Sequence, residues 1–273
     1  MNLAATVNAR KHVKSGLFVF GLLLVFLAVA CGASVTASTE DRDVSFSVGD
    51  SPKVVVNGSN GRINVNAGTG DTVRVQATLK RPEDLEYEVT QDGDTIRVDV
   101  EEKGSGINFF GQSPGADIEI TAPSNTSVEL RTSNGMIELF GMHRSGTVRS
   151  SNGKIVMADV VGDFDVTTSN GAVSIARASG TFNVETSNGR IDFAGDIVPG
   201  GSNRMTTSNG SVEITLNGSP SVELDASTSN GSITTRLPIL TTTIDDKHHI
   251  VGKIGAGDAE LYVRTANGSV TLQ

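Results

Sequence analysis

The chain has 273 residues, of which 31 are glycine, only 4% are aromatic and none is tryptophan. Its formal charge is −9, and because Arg10, Lys11 and Lys14 are the only charges before residue 31, the remainder carries −12. That balance argues against nucleic acid and anionic lipid headgroups, which select positive surfaces, and one cysteine permits neither an internal disulfide nor a Cys-rich zinc site.

In chain order, residues 1–30 read as an export signal. A basic stretch precedes the apolar run Leu17 to Ala30, which is short for a membrane span of about 20 residues but suits a signal h-region. It ends Leu27-Ala28-Val29-Ala30-Cys31. This segment resembles the bacterial lipobox, with Ala28 where that motif prefers leucine. The resemblance implies a lipid on the Cys31 sulfur, a membrane anchor for the chain and an extracytoplasmic address. Residues 31–43, small and polar at first, are expected to be a tether.

Residues 44–131 are expected to form an irregular β-rich part that begins the main body and covers its N-terminal end. Strands are predicted at Val54–Val56, Arg62–Val65, Val73–Leu79, Leu85–Thr90, Thr95–Val100, Asp117–Thr121 and Ser127–Leu130. Turn sequences such as Asp92-Gly93-Asp94 separate them. Phe109 and Phe110, set between glycines, are a candidate contact loop or a plug over the end of the core.

From residue 132 one tripeptide dominates. Ser-Asn-Gly recurs with its asparagine at 134, 152, 170, 188, 209 and 230, and Ala266-Asn267-Gly268 is a variant. The intervals are 18, 18, 18, 21, 21 and 37 residues, and such a period signals stacked units. Apolar residues alternate after each corner (Ile137/Leu139, Ile155/Met157, Val173/Ile175, Ile191/Phe193, Val212/Ile214) and again several residues later (Phe164/Val166, Phe182/Val184, Val222/Leu224). Period two with one apolar face is a half-buried strand. An antiparallel meander shares this pattern but leaves its apolar face uncovered unless it closes into a barrel. The favoured architecture is an all-β, parallel β-solenoid with coils of 18–21 residues.

In such a stack Asn134, Asn152, Asn170, Asn188, Asn209 and Asn230 are expected to form one column, consecutive asparagines about 4.8 Å apart, their amides joined in a ladder. Gly135, Gly153, Gly171, Gly189, Gly210 and Gly231 are expected to supply the positive φ of a sharp corner. Gly195–Asn203 and Leu216–Ser221 lengthen two successive units, so their loops, carrying Pro199 and Pro220, are expected side by side as a contact surface. The C-terminus, ending at Gln273, reads as an uncapped edge. Either the interval 231–267 folds over it or it pairs with another chain, which makes self-association through this edge an expectation.

The run from Val54 to Leu272 resembles the bacterial putative-adhesin family of β-strand-repeat domains. The likeness is carried by the Thr-Ser-Asn-Gly-x-Ile/Val units, by Asp117–Val128 (DIEITAPSNTSV) and by Gly252–Gly257 (GKIGAG). It implies a parallel β-solenoid outside the cytoplasm and brings no catalytic residues.

Chemistry beyond this is sparse. His248 and His249 follow Asp245 and Asp246, but strand neighbours point to opposite faces, so a solvated loop is the better reading than a metal site. The carboxylates show no paired-acid constellation in sequence. The expectation is a non-enzymatic, lipid-anchored envelope scaffold or binding protein without cofactor, its ligand unassigned. The alternatives are a polysaccharide-cleaving β-helix enzyme and a self-assembling structural protein.

Overall fold

The computed structural model describes residues 38–104, 113–245 and 247–273. Its first eleven strands are β1 (Thr39–Ser47), β2 (Lys53–Asn57), β3 (Ile63–Gly68), β4 (Thr72–Lys80), β5 (Leu85–Asp92), β6 (Thr95–Glu102), β7 (Gly115–Pro123), β8 (Ser127–Thr132), β9 (Ile137–Phe140), β10 (Gly146–Ser150) and β11 (Ile155–Ala158). The rest are β12 (Val161–Thr168), β13 (Val173–Thr186), β14 (Ile191–Ile197), β15 (Ser202–Asn209), β16 (Val212–Leu216), β17 (Val222–Asn230), β18 (Ile233–Thr235), β19 (Ile239–Asp245), β20 (His249–Ile254), β21 (Ala259–Asn267) and β22 (Val270–Leu272). The only helical element among the described residues is a 3₁₀ turn at Pro82–Asp84.

The strands form two ladders. The front ladder runs β5, β6, β2, β8, β10, β12, β13, β15, β21, β17, β20, β19. The back ladder runs β1, β4, β7, β3, β9, β11, β13, β14, β16, β22, β18. Because β13 runs through both, they make one 22-stranded sheet, wrapped nearly closed around a single core. Among the described residues pairing is parallel throughout the middle and antiparallel only where β1, β4, β5, β19 and β20 close the ends.

Each coil is a front strand followed by a back strand. Their spatial order is β6–β7, β2–β3, β8–β9, β10–β11, β12 with the start of β13, the rest of β13 with β14, β15–β16, β21–β22 and β17–β18. At neither end does this order follow the chain. The last coil in sequence, β21–β22, lies one place in from the end, between β15–β16 and β17–β18. The edge expected at the C-terminus is therefore not an edge, since β22 pairs with β16 on one side and β18 on the other. The interval 231–267 does fold over the stack, as the hairpin β19–β20 laid antiparallel on β17.

The core is built from like residues stacked on like. Ile63, Ile137, Ile155, Val173, Ile191, Val212 and Val270 follow one another down the back ladder, each at most 1% exposed. In front, Phe164 and Phe182 stack with ring centroids 5.8 Å apart, and Phe193 meets Phe182 from the opposite ladder at 5.2 Å. Burying an aliphatic side chain of this size contributes about 1.5–3 kcal/mol, so the coils hold together chiefly through this column.

Two boundaries differ from the expected ones. The stretch read as tether to residue 43 already contains strand, because β1 begins at Thr39 and pairs along its whole length with β4. The division at 131/132 falls inside β8, and coil β2–β3 is in register with coil β8–β9, so the N-terminal part belongs to the stack itself.

Candidate functional site

The Ser-Asn-Gly corner is the most regular feature of the surface. Its asparagine side chains form an unbroken chain of hydrogen bonds. Asn134 Nδ2 donates to Asn60 Oδ1 at 2.7 Å, Asn152 to Asn134 at 2.7 Å, Asn170 to Asn152 at 2.7 Å and Asn188 to Asn170 at 2.8 Å. Asn209 donates to Asn188 at 2.8 Å, Asn267 to Asn209 at 2.8 Å and Asn230 to Asn267 at 2.9 Å. The column expected from Asn134 to Asn230 is present, with two corrections. It starts at Asn60, and Asn267 separates Asn209 from Asn230 because its coil is inserted there. Every amide points the same way, and the last free donor, on Asn60, meets the Glu102 carboxylate at 2.6 Å.

The glycines of the corner are needed for a different reason from the one expected. Gly135, Gly153, Gly171, Gly189, Gly210 and Gly231 do not have positive φ. A methyl group on any of them would instead overlap a glycine carbonyl of the neighbouring coil: Gly61 for Gly135, Gly135 for Gly153, Gly268 for Gly231, and so on along the stack. Close approach, and not turning, selects glycine here. The left-handed corner is the opposite one, where Gly141, Asp159 and Arg177 have φ of 71°, 56° and 50°. There Arg177 grips the Asp159 carboxylate with two bonds of 2.6 Å, and this guanidinium holds the Asp159 carboxyl below its usual pKa.

A buried hydroxyl completes the corner. Ser150, Thr168, Thr186, Thr207, Thr265 and Thr228 each donate to a glycine carbonyl of the neighbouring coil, at 3.2, 3.2, 3.0, 2.9, 2.8 and 2.8 Å. The threonine of the Thr-Ser-Asn-Gly unit is thus the residue that satisfies this carbonyl where water is excluded. With the asparagine amides, the glycines and the buried hydroxyls all consumed internally, the inner part of the corner is architecture.

Variation is concentrated on the outward columns and loops. The loops 195–203 and 216–221 come together as expected, and Pro199 and Pro220 line one shallow cavity of about 250 Å³ with Asp196 and Asn217. Sequence did not foresee Asn203, which is 1% exposed inside the core. Its Oδ1 accepts the Phe182 N–H at 2.8 Å.

His249 lies on β20 with Nε2 2.9 Å from Asp225 on β17, while His248 is exposed and does not join it. Among the described residues no three His, Cys, Asp or Glu side chains converge on a metal-sized site. Paired acids do occur, contrary to the reading of the sequence. The β5–β6 register sets Glu86 opposite Glu101 and Glu88 opposite Asp99. The hairpin turn Asp92-Gly93-Asp94 was the signal that could have located them. Cys31, Phe109 and Phe110 lie outside the described residues.

Residues 144–273 match the sequence profile of the family described as toastrack DUF4097. Among solved structures, a putative cell adhesion protein from Clostridium sporogenes is 11% identical, with 85% of this chain and 99% of that chain covered and a TM-score of 0.38. A putative adhesin from Bacteroides fragilis is 12% identical over 86% of this chain and 97% of that one, at 0.44. A putative lipid binding protein from Parabacteroides distasonis is 14% identical over 86% and 96%, at 0.40. No curated protein matches the chain. By the first of these matches, residues 144–273 are similar to the toastrack DUF4097 family.

Proposed function

We propose that the protein is a non-enzymatic cell-envelope scaffold. In this reading it is a β-solenoid rod, held to the membrane through lipid on Cys31, that displays its outward loops to an envelope or extracellular ligand. One observation carries the proposal: the asparagine amides and buried hydroxyls of the repeating corner are satisfied within the stack, while the two lengthened units place the Pro199 and Pro220 loops side by side. A rigid support with local irregularity confined to adjacent loops is the arrangement expected of a display protein.

The anchor is tested by expressing wild-type chain and Cys31→Ser with a radiolabelled fatty acid. Label and detergent-dependent solubility should both disappear in the variant, and retention of both overturns the anchor. Display is tested by sedimenting purified chain with isolated envelope fragments, beside a variant with both loops shortened to the 18-residue spacing. Saturable co-sedimentation lost in the variant supports the reading, and no saturable binding by the parent sinks it.

A second reading, a self-assembling structural protein, rests on the far end of the stack. There β19 pairs, among the described residues, only with β20, and Leu240 is 75% exposed. Concentration-dependent sedimentation supports it, and strictly monomeric behaviour at high concentration rejects it.

A further inference from the structure

The outward column of the front ladder reads Asp99, Asn57, Arg131, Arg149, Thr167, Glu185 across successive strands. Arg131 and Arg149 are thus direct neighbours on parallel strands, about 4.8 Å apart at their backbones. Like charges so placed repel and destabilise a sheet. Two other like-charge neighbours in the stack are compensated. Asp192 and Glu213 face each other across β14 and β16, and Arg190 bridges both, reaching Glu213 at 2.5 Å. Glu260 and Glu223 are neighbours on β21 and β17, and Lys253 stands directly opposite Glu223 on β20.

The arginine pair has no such bridge. Arg149 makes no ion pair among the described residues. Among the described residues Arg131 reaches only Glu129, at 3.4 Å, and that carboxylate is shared with Lys53 at 3.3 Å. The next acid in the column, Asp99, accepts the Asn57 amide at 2.7 Å. Both arginines line a shallow hollow of about 310 Å³, together with Ser133, Ser151 and Thr167. The hydroxyls of these three residues have no protein partner among the described residues.

We propose that this hollow binds a phosphate ester group of a hydrophilic ligand. Two arginines and free hydroxyl donors lining the same hollow match the several acceptor oxygens of a phosphate, with charge-assisted bonds from both guanidiniums. A bound dianion would replace the repulsion between Arg131 and Arg149 with two attractions. A ligand in solution is favoured over a lipid surface, because the body around the hollow carries −12 and its field opposes approach to an extended anionic plane. The site stands on described residues alone and does not depend on the anchor or on the display reading.

The test is calorimetric titration of the detergent-solubilised full chain with inorganic phosphate and with glycerol phosphate at low salt. Saturable binding is expected, weakened about tenfold or more in Arg131→Gln and in Arg149→Gln and unchanged in Arg264→Gln. In the absence of phosphate, Arg149→Gln should leave the thermal midpoint unchanged or raised, which separates loss of a ligand group from loss of fold. No saturable heat, or binding by Arg131→Gln and Arg149→Gln as tight as that of the parent, overturns the site. Arginine-dependent association with phosphatidylglycerol vesicles, without binding of either soluble phosphate, overturns the hydrophilic ligand in favour of a lipid headgroup.

Discussion

The two ends of the stack are closed by the same device with different chemistry. At each end the coil nearest the chain terminus is set one place inward. It is β2–β3 beneath β6–β7 at one end and β21–β22 beneath β17–β18 at the other. Antiparallel strands then cover what remains. At the N-terminal end the outermost strands are charged: β1 carries Glu40, Asp41, Arg42 and Asp43, and β5 carries Glu86, Glu88 and Asp92. Charge along an exposed edge discourages pairing with other chains. At the C-terminal end β19, Ile-Leu-Thr-Thr-Thr-Ile-Asp, is uncharged until its last residue. Closing the core and guarding the edge are therefore separate tasks, and only one end does both.

The largest effect is expected where the inserted coil meets its neighbours. Leu261 is 1% exposed between β15 and β17, and Leu261→Ala should cost about 2–5 kcal/mol in denaturant unfolding. If the ends are equivalent, Leu130→Ala, in the strand beside β2, falls in the same range. A value below 1 kcal/mol for Leu261 alone shows that the C-terminal coil frays independently. Next comes the glycine column. Gly268→Ala, whose methyl would overlap the Gly210 carbonyl, should cost roughly 1–3 kcal/mol or more. In contrast, Gly218→Ala, with open space around it but φ of 64°, should cost only about 1 kcal/mol.

Removing a ladder amide is a smaller change, on the order of 1 kcal/mol. Asn60→Ala and Asn267→Ala differ in what they strand. The first leaves Glu102 without its donor, and the second breaks the chain between Asn209 and Asn230. Equal costs, measured by thermal unfolding, would show that the carboxylate at the N-terminal end adds nothing beyond one hydrogen bond.

Acid should distinguish the ends more gently. Hydrogen bonding from Arg74 holds the Asp43 carboxyl below its usual pKa of 3.8. At Asp117 partial burial pushes upward, but the Arg62 N–H and Lys80 outweigh it and the net shift is also downward. Groups with depressed folded pKa values give their full stabilisation above the ordinary value and lose it as pH falls through the folded one. Cleavage of β1 and β4 by an acid protease should therefore rise below about pH 3.8, before cleavage of β20. Both pairs are partly exposed, so the effect is modest. The smallest change is expected from Leu240→Lys, within about 0.5 kcal/mol in stability. Its value lies in sedimentation: if the uncharged edge drives association, this one charge reduces it.

Much of this was legible in the sequence, and the illegible parts share a cause. Alternation and the 18-residue interval report local periodicity, and they located strands β2 to β8, the asparagine column and the neighbouring Pro199 and Pro220 loops. They carry no information on which coil lies beside which. Ala266-Asn267-Gly268 looks like a further repeat unit, and nothing in its residues distinguishes a coil added at the end from one inserted earlier. The glycine at each corner is equally ambiguous in sequence, since a left-handed turn and a close carbonyl both demand it. Only the stacked carbonyls decide. The acid pairs of β5–β6 depend on hairpin register, which follows from the Asp-Gly turn once that turn is taken as a two-residue connection.

The placement of β21–β22 also dictates how the chain must fold. A stack whose coils followed the chain could grow one coil at a time, each new strand finding its template already formed. Here Ser202 on β15 meets Glu260 on β21, and β17, made earlier, has to leave a gap for a strand not yet present. The slot is filled only when the final residues arrive, so assembly of the last three coils is a single long-range event. Such closure is slow because the loop entropy comes before the contacts that offset it. The C-terminal end should be the last part to become protected in a pulse-labelled hydrogen-exchange experiment, well after the middle coils have closed.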